Sequence, residues 1–314
     1  MDVHTKLDDT GTLAERLTRK RAGQWKDSLV AKFIFLNGIT AMVTVCLIFV
    51  FLVKDAAPVF KTVSVWKFLT GTTWLPDQNQ FGILPLLVGS LFVTFGAVVI
   101  AVPLGIACAV YLAEVAPRPV REILKPAIEV LAGIPSVVIG FIGLMIAAPF
   151  LQSLLKLPIG LTALTGSIML GFMAMPTIIS ISEDAIVAVP KSYRDASLAL
   201  GASRWETIRG VVVPAARSGI IAACMLGVGR AVGETMTVLM VTGNASNLPA
   251  GATGLLSYFL GPVRTMTATV ALEMGDTVQG SPHYAALFAV GLALFAITFA
   301  VNLVADLALR RAKQ

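Results

Sequence analysis

From Glu183 to Pro214 the chain reads E-D-A-I-V-A-V-P-K-S-Y-R-D-A-S-L-A-L-G-A-S-R-W-E-T-I-R-G-V-V-V-P. Lys191 to Leu200 is rich in helix formers and places Tyr193, Ala196 or Ser197, and Leu200 on one face by three-and-four spacing. Gly201 supplies a C-terminal stop. Ser203 and Glu206 then stand three apart, the reciprocal arrangement that satisfies orphan amides at a new helix start. Trp205, Ile208 and Val212 give that second helix an apolar stripe. Two short helices meeting at a glycine form either a rigid projecting knob or an amphipathic hairpin lying on a membrane surface, and these residues alone admit both.

What flanks this segment decides the fold class. No Asp, Glu, Lys or Arg occurs from Leu157 to Ser182, and equally long gaps run from Gln78 to Ala113, Val130 to Leu155 and Thr277 to Ala305. The 314 residues are 56% hydrophobic and 13% charged, about half the charged share usual in soluble domains. A hydrocarbon core of roughly 30 Å needs about 20 apolar residues as helix. Six segments meet that length: Phe33–Val53, about Leu86–Ala113, about Ala127–Ala148, about Leu161–Ile181, Ser218 to about Thr242, and about Tyr284–Leu309. The expectation is an all-α integral membrane protein of six transmembrane helices, with both termini on one side. The first apolar run, 21 residues, exceeds a signal-peptide core and is read as an uncleaved span.

Lys and Arg concentrate in loops that stay in the cytoplasm. Eighteen of them lie in the N-terminal arm, the 114–126 and 183–217 loops and the C-terminus, against five on the opposite side, so both termini are expected to be cytoplasmic. The net charge of +6 is then topological and points to no nucleic-acid partner. The expected organisation is a cytoplasmic arm 1–32, a first span 33–53, an external loop 54–85, a core 86–309 of five spans with the cytoplasmic loop 183–217, and a tail 310–314. The arm up to Asp27 is too polar for a packed core and is expected to be flexible or interfacial. In the first external loop Trp66, Phe68 and Trp74 suit the headgroup level. The external loops are too short for a substrate-binding domain.

Cys46, Cys108 and Cys224 all fall inside expected spans, far apart, and form neither a disulfide framework nor a metal spacing. Helix-disrupting residues crowd the spans: Pro103, Gly133 with Pro135, Pro176, and Gly227, Gly229 and Gly233. Backbone groups freed there need neighbouring helices or water, as along a solute pathway; close packing of small residues is the other explanation. A phosphate-cradling loop would need Gly-x-x-x-x-Gly-Lys followed by Ser or Thr, and the chain contains no Gly-Lys pair. No carboxylate dyad or Ser/His constellation marks an enzyme.

The fifth span carries G-R-A-V-G-E-T-M from Gly229 to Met236. Arg230 lies thirteen residues, roughly 20 Å of helix, beyond Arg217. A central arginine costs about 2.5–3.5 kcal/mol on insertion scales, so it should face protein or water. Glu234, at i+4, is expected to share its face and pair with it. The two could simply neutralise each other, or Arg230 could reach outward. The functional reading is a deliberately weak anion site: the planar fork attracts phosphate oxygens, while the carboxylate accepts from a protonated oxyanion and repels a fully deprotonated one.

The loop resembles the coupling segment of ABC-importer permeases, whose pattern is Glu-Ala-Ala, three residues, Gly, nine residues, Ile-x-Leu-Pro. Here Asp195-Ala196-Ser197 is followed by Gly201 and then Val211-Val212-Val213-Pro214, with every spacing kept. The resemblance implies the type I (MetI-like) permease fold and a coupling helix that inserts into a cleft on a separate ATPase, with Asp195, Ala196, Ser197, Leu200, Gly201, Trp205 and Pro214 at the contact. G-R-A-V-G-E-T-M and A-I-E-V-L-A-G-I-P-S-V-V-I-G from Ala127 to Gly140 are similar to PstC-type phosphate permeases. That similarity implies a substrate pathway at Arg230, Glu234 and Thr235, and a bacterial cytoplasmic-membrane location. It further implies a PstA-type permease as heterodimer partner, two PstB-type ATPases that use ATP and Mg, and a PstS-type phosphate-binding protein. No cofactor or metal is expected on this chain. Glu129 is read as an interfacial structural charge. The competing functions are the same machine for molybdate or sulfate, an ion-coupled secondary transporter with Glu234 as proton relay, and a role in signalling phosphate status.

Overall fold

A computed structural model describes the backbone of residues 13–246, 248 and 254–312 and the side chains of residues 28–246, 248 and 254–307. The expected arm therefore falls outside the described residues for positions 1–12. From Leu13 onward the chain is helical: α1 (Leu13–Ala56) runs unbroken into the first apolar segment. The chain divides into two units, residues 1–54 and 55–314. In the first unit Phe33, Phe35 and Met42 are each about two-thirds exposed, as suits an apolar helix whose surroundings are lipid.

The second unit begins with a 3₁₀ turn at Ala57–Lys61, α2 (Val65–Thr70) and a two-stranded antiparallel ribbon of β1 (Trp74–Leu75) and β2 (Gln80–Phe81), with Trp74 opposite Phe81. These pack with the start of the last helix into one apolar cluster. The expected headgroup aromatics divide here: Trp66 is 75% exposed, but Phe68 and Trp74 are buried, Trp74 because its indole donates to Glu273 and its ring packs edge-on to Phe81. α3 (Leu84–Val110) follows, continued by a π-helical turn to Val115. Next come α4 (Arg118–Ala132), α5 (Ser136–Ile142), a second π turn and α6 (Ala148–Leu155). α7 (Ala163–Val187), α8 (Lys191–Ala199), α9 (Arg204–Thr207), a third π turn and α10 (Val213–Ala215) lead to α11 (Arg217–Gly233) and α12 (Met236–Val241). α13 (Gly254–Phe259), α14 (Met266–Glu273) and α15 (Pro282–Ala312) complete the chain.

Among the described residues five helices are long and apolar enough to cross a membrane, or six if α9–α10 and α11, bent by 69°, count as one broken span. α3, α7 and α11 form the centre. Their contact rests on small residues: fully buried Ile178 of α7 sits against Gly105 of α3 and Gly227 of α11, where a β-carbon would come within 2.8 and 2.6 Å of it. Such close backbone approach is the usual basis of helix association in lipid. Pro103 and Pro176 lie inside unbroken helices, their freed carbonyls tolerated within this packing.

Two boundaries differ from expectation. The third span is Ser136–Leu155, not Ala127–Ala148. Gly133 ends α4, and Pro135, which lacks an N–H and disfavours helix at Ile134, begins a separate helix. α4 is instead strongly amphipathic, with Arg121, Glu122, Lys125 and Glu129 along it. The fifth segment also breaks: α11 ends at Gly233, Glu234 is extended at φ −70° and ψ 134°, and α12 restarts at Met236.

Candidate functional site

Arg230 sits in the last turn of α11, half-buried in the bundle. Its Nη1 donates to the Thr177 hydroxyl of α7 at 3.2 Å, and its Nη2 donates to the Ala132 carbonyl at the end of α4 at 3.5 Å. Both acceptors are neutral; the bond to Thr177 is at the long end of the normal range, and the one to Ala132 is longer still and weak. A β-carbon added at Gly233, three residues on and on the same face of α11 as Arg230, would meet nothing within 4 Å, so that face is open.

The expected ion pair between Arg230 and Glu234 is absent from the described residues. The i+4 argument presupposes a continuous helix, and the chain turns extended at Glu234 itself. Glu234 Oε1 instead accepts from the Thr237 N–H at 3.0 Å, satisfying an orphan amide at the start of α12. The Glu234 carbonyl accepts from the Thr267 hydroxyl at 2.8 Å, and the Thr237 hydroxyl donates to the Ser136 carbonyl at 3.0 Å. Among the described residues the Thr235 hydroxyl reaches only the Gly233 carbonyl, at 3.4 Å. The break is therefore a built feature in which buried threonines take up the backbone groups that helix would have satisfied. Sequence reasoning missed Thr177, Ala132, Thr237 and Thr267, since a neutral hydroxyl or carbonyl in an apolar run carries no charge to mark it. Glu129 is exposed on α4 and joins no contact here.

At one end of the bundle α8 and α9 form the pair of short helices expected from Lys191 to Pro214. Gly201 adopts φ +87°, and the Ala202 and Gly201 amides donate to the Ser197 and Leu198 carbonyls, closing α8 with the paired bonds of a left-handed cap. Ser203 and Glu206 make both bonds of the reciprocal cap, which holds the Glu206 carboxyl below the usual carboxylate range. The Ser197 and Thr207 hydroxyls bond at 2.9 Å, tying one helix to the other. Leu200, at 90% exposed, and Trp205, at 63%, project into the surroundings, and Asp195, Ala196 and Pro214 are exposed. Ile208 and Val212 of the expected stripe are buried, Val212 in a cluster with residues of α3, α7 and α11.

Two ionic anchors, unforeseen in the sequence, fix this end. Arg194 of α8 donates to Glu114, at 3.0 Å from Nε and 2.6 Å from Nη2, and to the Val189 and Ile186 carbonyls at 2.5 and 2.9 Å. Glu183 of α7, 1% exposed, accepts from both Arg121 and Lys125 of α4, the latter at 2.6 Å. These bonds, and one from Lys125 to Asp184, raise the lysine above its ordinary range. At the opposite end of α3, Glu273 accepts from Trp74, from Arg264 at 2.6 Å and from His283 at 2.8 Å. Among the described residues no group of three or more His, Cys, Asp or Glu is placed to hold a metal.

A bundle of membrane-length helices, interrupted beside a half-buried guanidinium and bearing an exposed pair of short helices, defines an integral membrane permease that works with partners. Residues 101–314 match the family described as binding-protein-dependent transport system inner membrane component. The fold is that of two solved transporters: inward-facing MetNI methionine ABC transporter (TM-score 0.54, 18% identity, covering 74% of this chain and 95% of that one) and an amino acid ABC transporter with histidines (0.50, 19%, 72% and 92%). Curated relatives include the probable ABC transporter permease protein YqgH of Bacillus subtilis, 42% identical over 251 residues (79% of this chain, 77% of the relative). The phosphate transport system permease protein PstC of Mesorhizobium japonicum is 37% identical over 265 residues (78% and 79%), and that of Haemophilus influenzae 32% over 267 (79% and 82%). The chain belongs to the binding-protein-dependent ABC permease family, within its PstC-type phosphate permease group.

Proposed function

We propose that the chain is the membrane-embedded subunit of an ATP-driven importer that carries inorganic phosphate across the bacterial cytoplasmic membrane. The observation that carries this is Arg230, whose guanidinium is held between α7 and α4 by two long bonds to neutral oxygens. Its remaining N–H donors meet no partner among the described residues, leaving a positive fork beside open space. Such a group attracts an oxyanion strongly in a low-dielectric path, yet keeps it loosely enough to release. Glu234 adds selectivity: one carboxylate oxygen is committed to α12, while the other can accept from protonated phosphate and repel a fully deprotonated oxyanion. Thr235 lines the same break.

Energy comes from outside the chain. The α8–α9 knob, with Leu200 and Trp205 exposed at its tip, docks a separate ATPase that binds ATP and Mg, and this chain hydrolyses nothing. The partners are a PstA-type permease forming a heterodimer, two PstB-type ATPases and a PstS-type phosphate-binding protein. The Lys and Arg distribution supports a cytoplasmic side for the knob and both termini. Arg230→Gln in the assembled complex tests the assignment through uptake of radiolabelled phosphate by cells. Uptake is expected to be lost while the ATPase and second permease still co-purify; undiminished uptake would remove Arg230 from the pathway.

A further inference from the structure

Glu183 contacts neither Arg230 nor the knob, yet it is among the most completely buried side chains, at 1% exposure. A carboxylate in that position is stable only with partners, and replacing such ion clusters by apolar groups often costs nothing, so stability alone explains its presence poorly. Its two partners show what it fixes. Arg121 and Lys125 are four residues apart, on one face of α4 and one turn from each other, so a single carboxylate grips α4 at two levels and resists both rotation and sliding.

Seven residues beyond Lys125, roughly 10 Å along the same helix, lies Ala132, whose carbonyl accepts from Arg230. Six residues before Glu183, roughly 9 Å along α7, lies Thr177, the other acceptor. α4 and α7 are thus joined at two levels, by the Glu183 cluster and by the guanidinium. Immediately after Ala132 the Gly133-Ile134-Pro135 break separates α4 from α5, and α5 packs instead against α12. The position of the Ala132 carbonyl is consequently set from the Glu183 end of α4, with little help from the helix that follows.

We infer that Glu183 is a positioning residue for the anion-binding guanidinium: by gripping Arg121 and Lys125 it places the Ala132 carbonyl, and through it aims Arg230 into the pathway. This rests on Arg230 being the anion site. α7 continues through Val189 and Pro190 into α8, so a displacement of the knob reaches the same clamp.

The test is a double-mutant cycle in the complete transporter, measuring initial uptake of radiolabelled inorganic phosphate at matched amounts of assembled complex. Glu183→Gln is expected to lower uptake roughly 2- to 30-fold, the range seen along coupling networks, and Glu183→Asp to recover most of it. Combined with Arg230→Lys, Glu183→Gln is expected to add no further loss, since both act through one guanidinium. A purely structural clamp would give losses that multiply, and that result, or full uptake by Glu183→Gln beside a defective Arg230→Lys, would overturn the inference alone. Normal uptake by Arg230→Lys and Arg230→Gln would overturn the anion-site assignment and this inference with it. Should Glu183→Gln fail to assemble, Lys125→Gln loosens one of the two grips at a partly exposed position and must show the same non-additivity, at smaller amplitude.

Discussion

Arg230 has five N–H donors and, among the described residues, two acceptors, a hydroxyl and a carbonyl, with no carboxylate paired to it. Of the two, Thr177 is the closer and projects from a helix that is buried over much of its length, which makes it the firmer guide for the fork. Thr177→Val keeps the side-chain shape and removes the oxygen, a change worth about 0.5–1.5 kcal/mol for an ordinary hydrogen bond. The half-saturating phosphate concentration is expected to rise roughly 2- to 10-fold on that basis, with complex yield unchanged. Uptake kinetics in whole cells give the answer. A lower half-saturating concentration would mean that Thr177 competes with the anion for the guanidinium, not that it aims the group.

At the scale of elements the knob depends on one backbone position. Gly201 lies at φ +87°, where a β-carbon costs on the order of 1–2 kcal/mol, and no neighbour lies within 4 Å to be displaced. Gly201→Ala therefore acts through conformation alone: it loosens the angle between α8 and α9, and with it the relation of Leu200 to Trp205. ATPase captured by the tagged permease is expected to fall, and ATP hydrolysis to respond less to phosphate uptake, while phosphate binding is unchanged. Normal capture with normal coupling would show that the angle does not matter. This corner was legible from the sequence, because glycine, serine and glutamate at fixed offsets encode caps through local bonds only. The apolar spans were legible for the same reason, their charge-free length being a local property. The breaks were not. Pro103 and Pro176 look as disruptive as Pro135 but stay within continuous helices, and the Glu234–Thr235 break contains no proline. What permits that break is Thr267, thirty-three residues away in sequence, offering its hydroxyl to the Glu234 carbonyl, and no local pattern announces such a partner. The assumed pairing of Arg230 with Glu234 failed on this one point.

At the scale of the whole second unit, the proposed function requires the knob and the Arg230 site to move together, through the elements that connect them. Arg194 is the most concentrated: one side chain in α8 binds Glu114 just beyond α3 and two carbonyls where α7 ends, at Ile186 and Val189. α3 and α7 in turn pack along their length, and α7 carries Thr177 against the guanidinium. Because the guanidinium is only 20% exposed and Glu114 13%, the pair is screened less than a surface salt bridge. Arg194→Ala would free the knob from all three acceptors while leaving Leu200 and Trp205 in place to dock. The expected phenotype is a complex that still captures its ATPase and still hydrolyses ATP, but imports less phosphate for each ATP consumed. Glu114→Gln provides the graded comparison, since the amide oxygen can still accept from Arg194 and both carbonyl bonds survive, so its loss of coupling should be clearly smaller. Simultaneous measurement of hydrolysis and uptake in proteoliposomes separates the cases. If Arg194→Ala lost ATPase capture altogether, the residue would belong to the docking surface, and force would have to travel from knob to pathway by another route, either the Glu183 clamp between α7 and α4 or the chain that runs from α9 through α10 into α11.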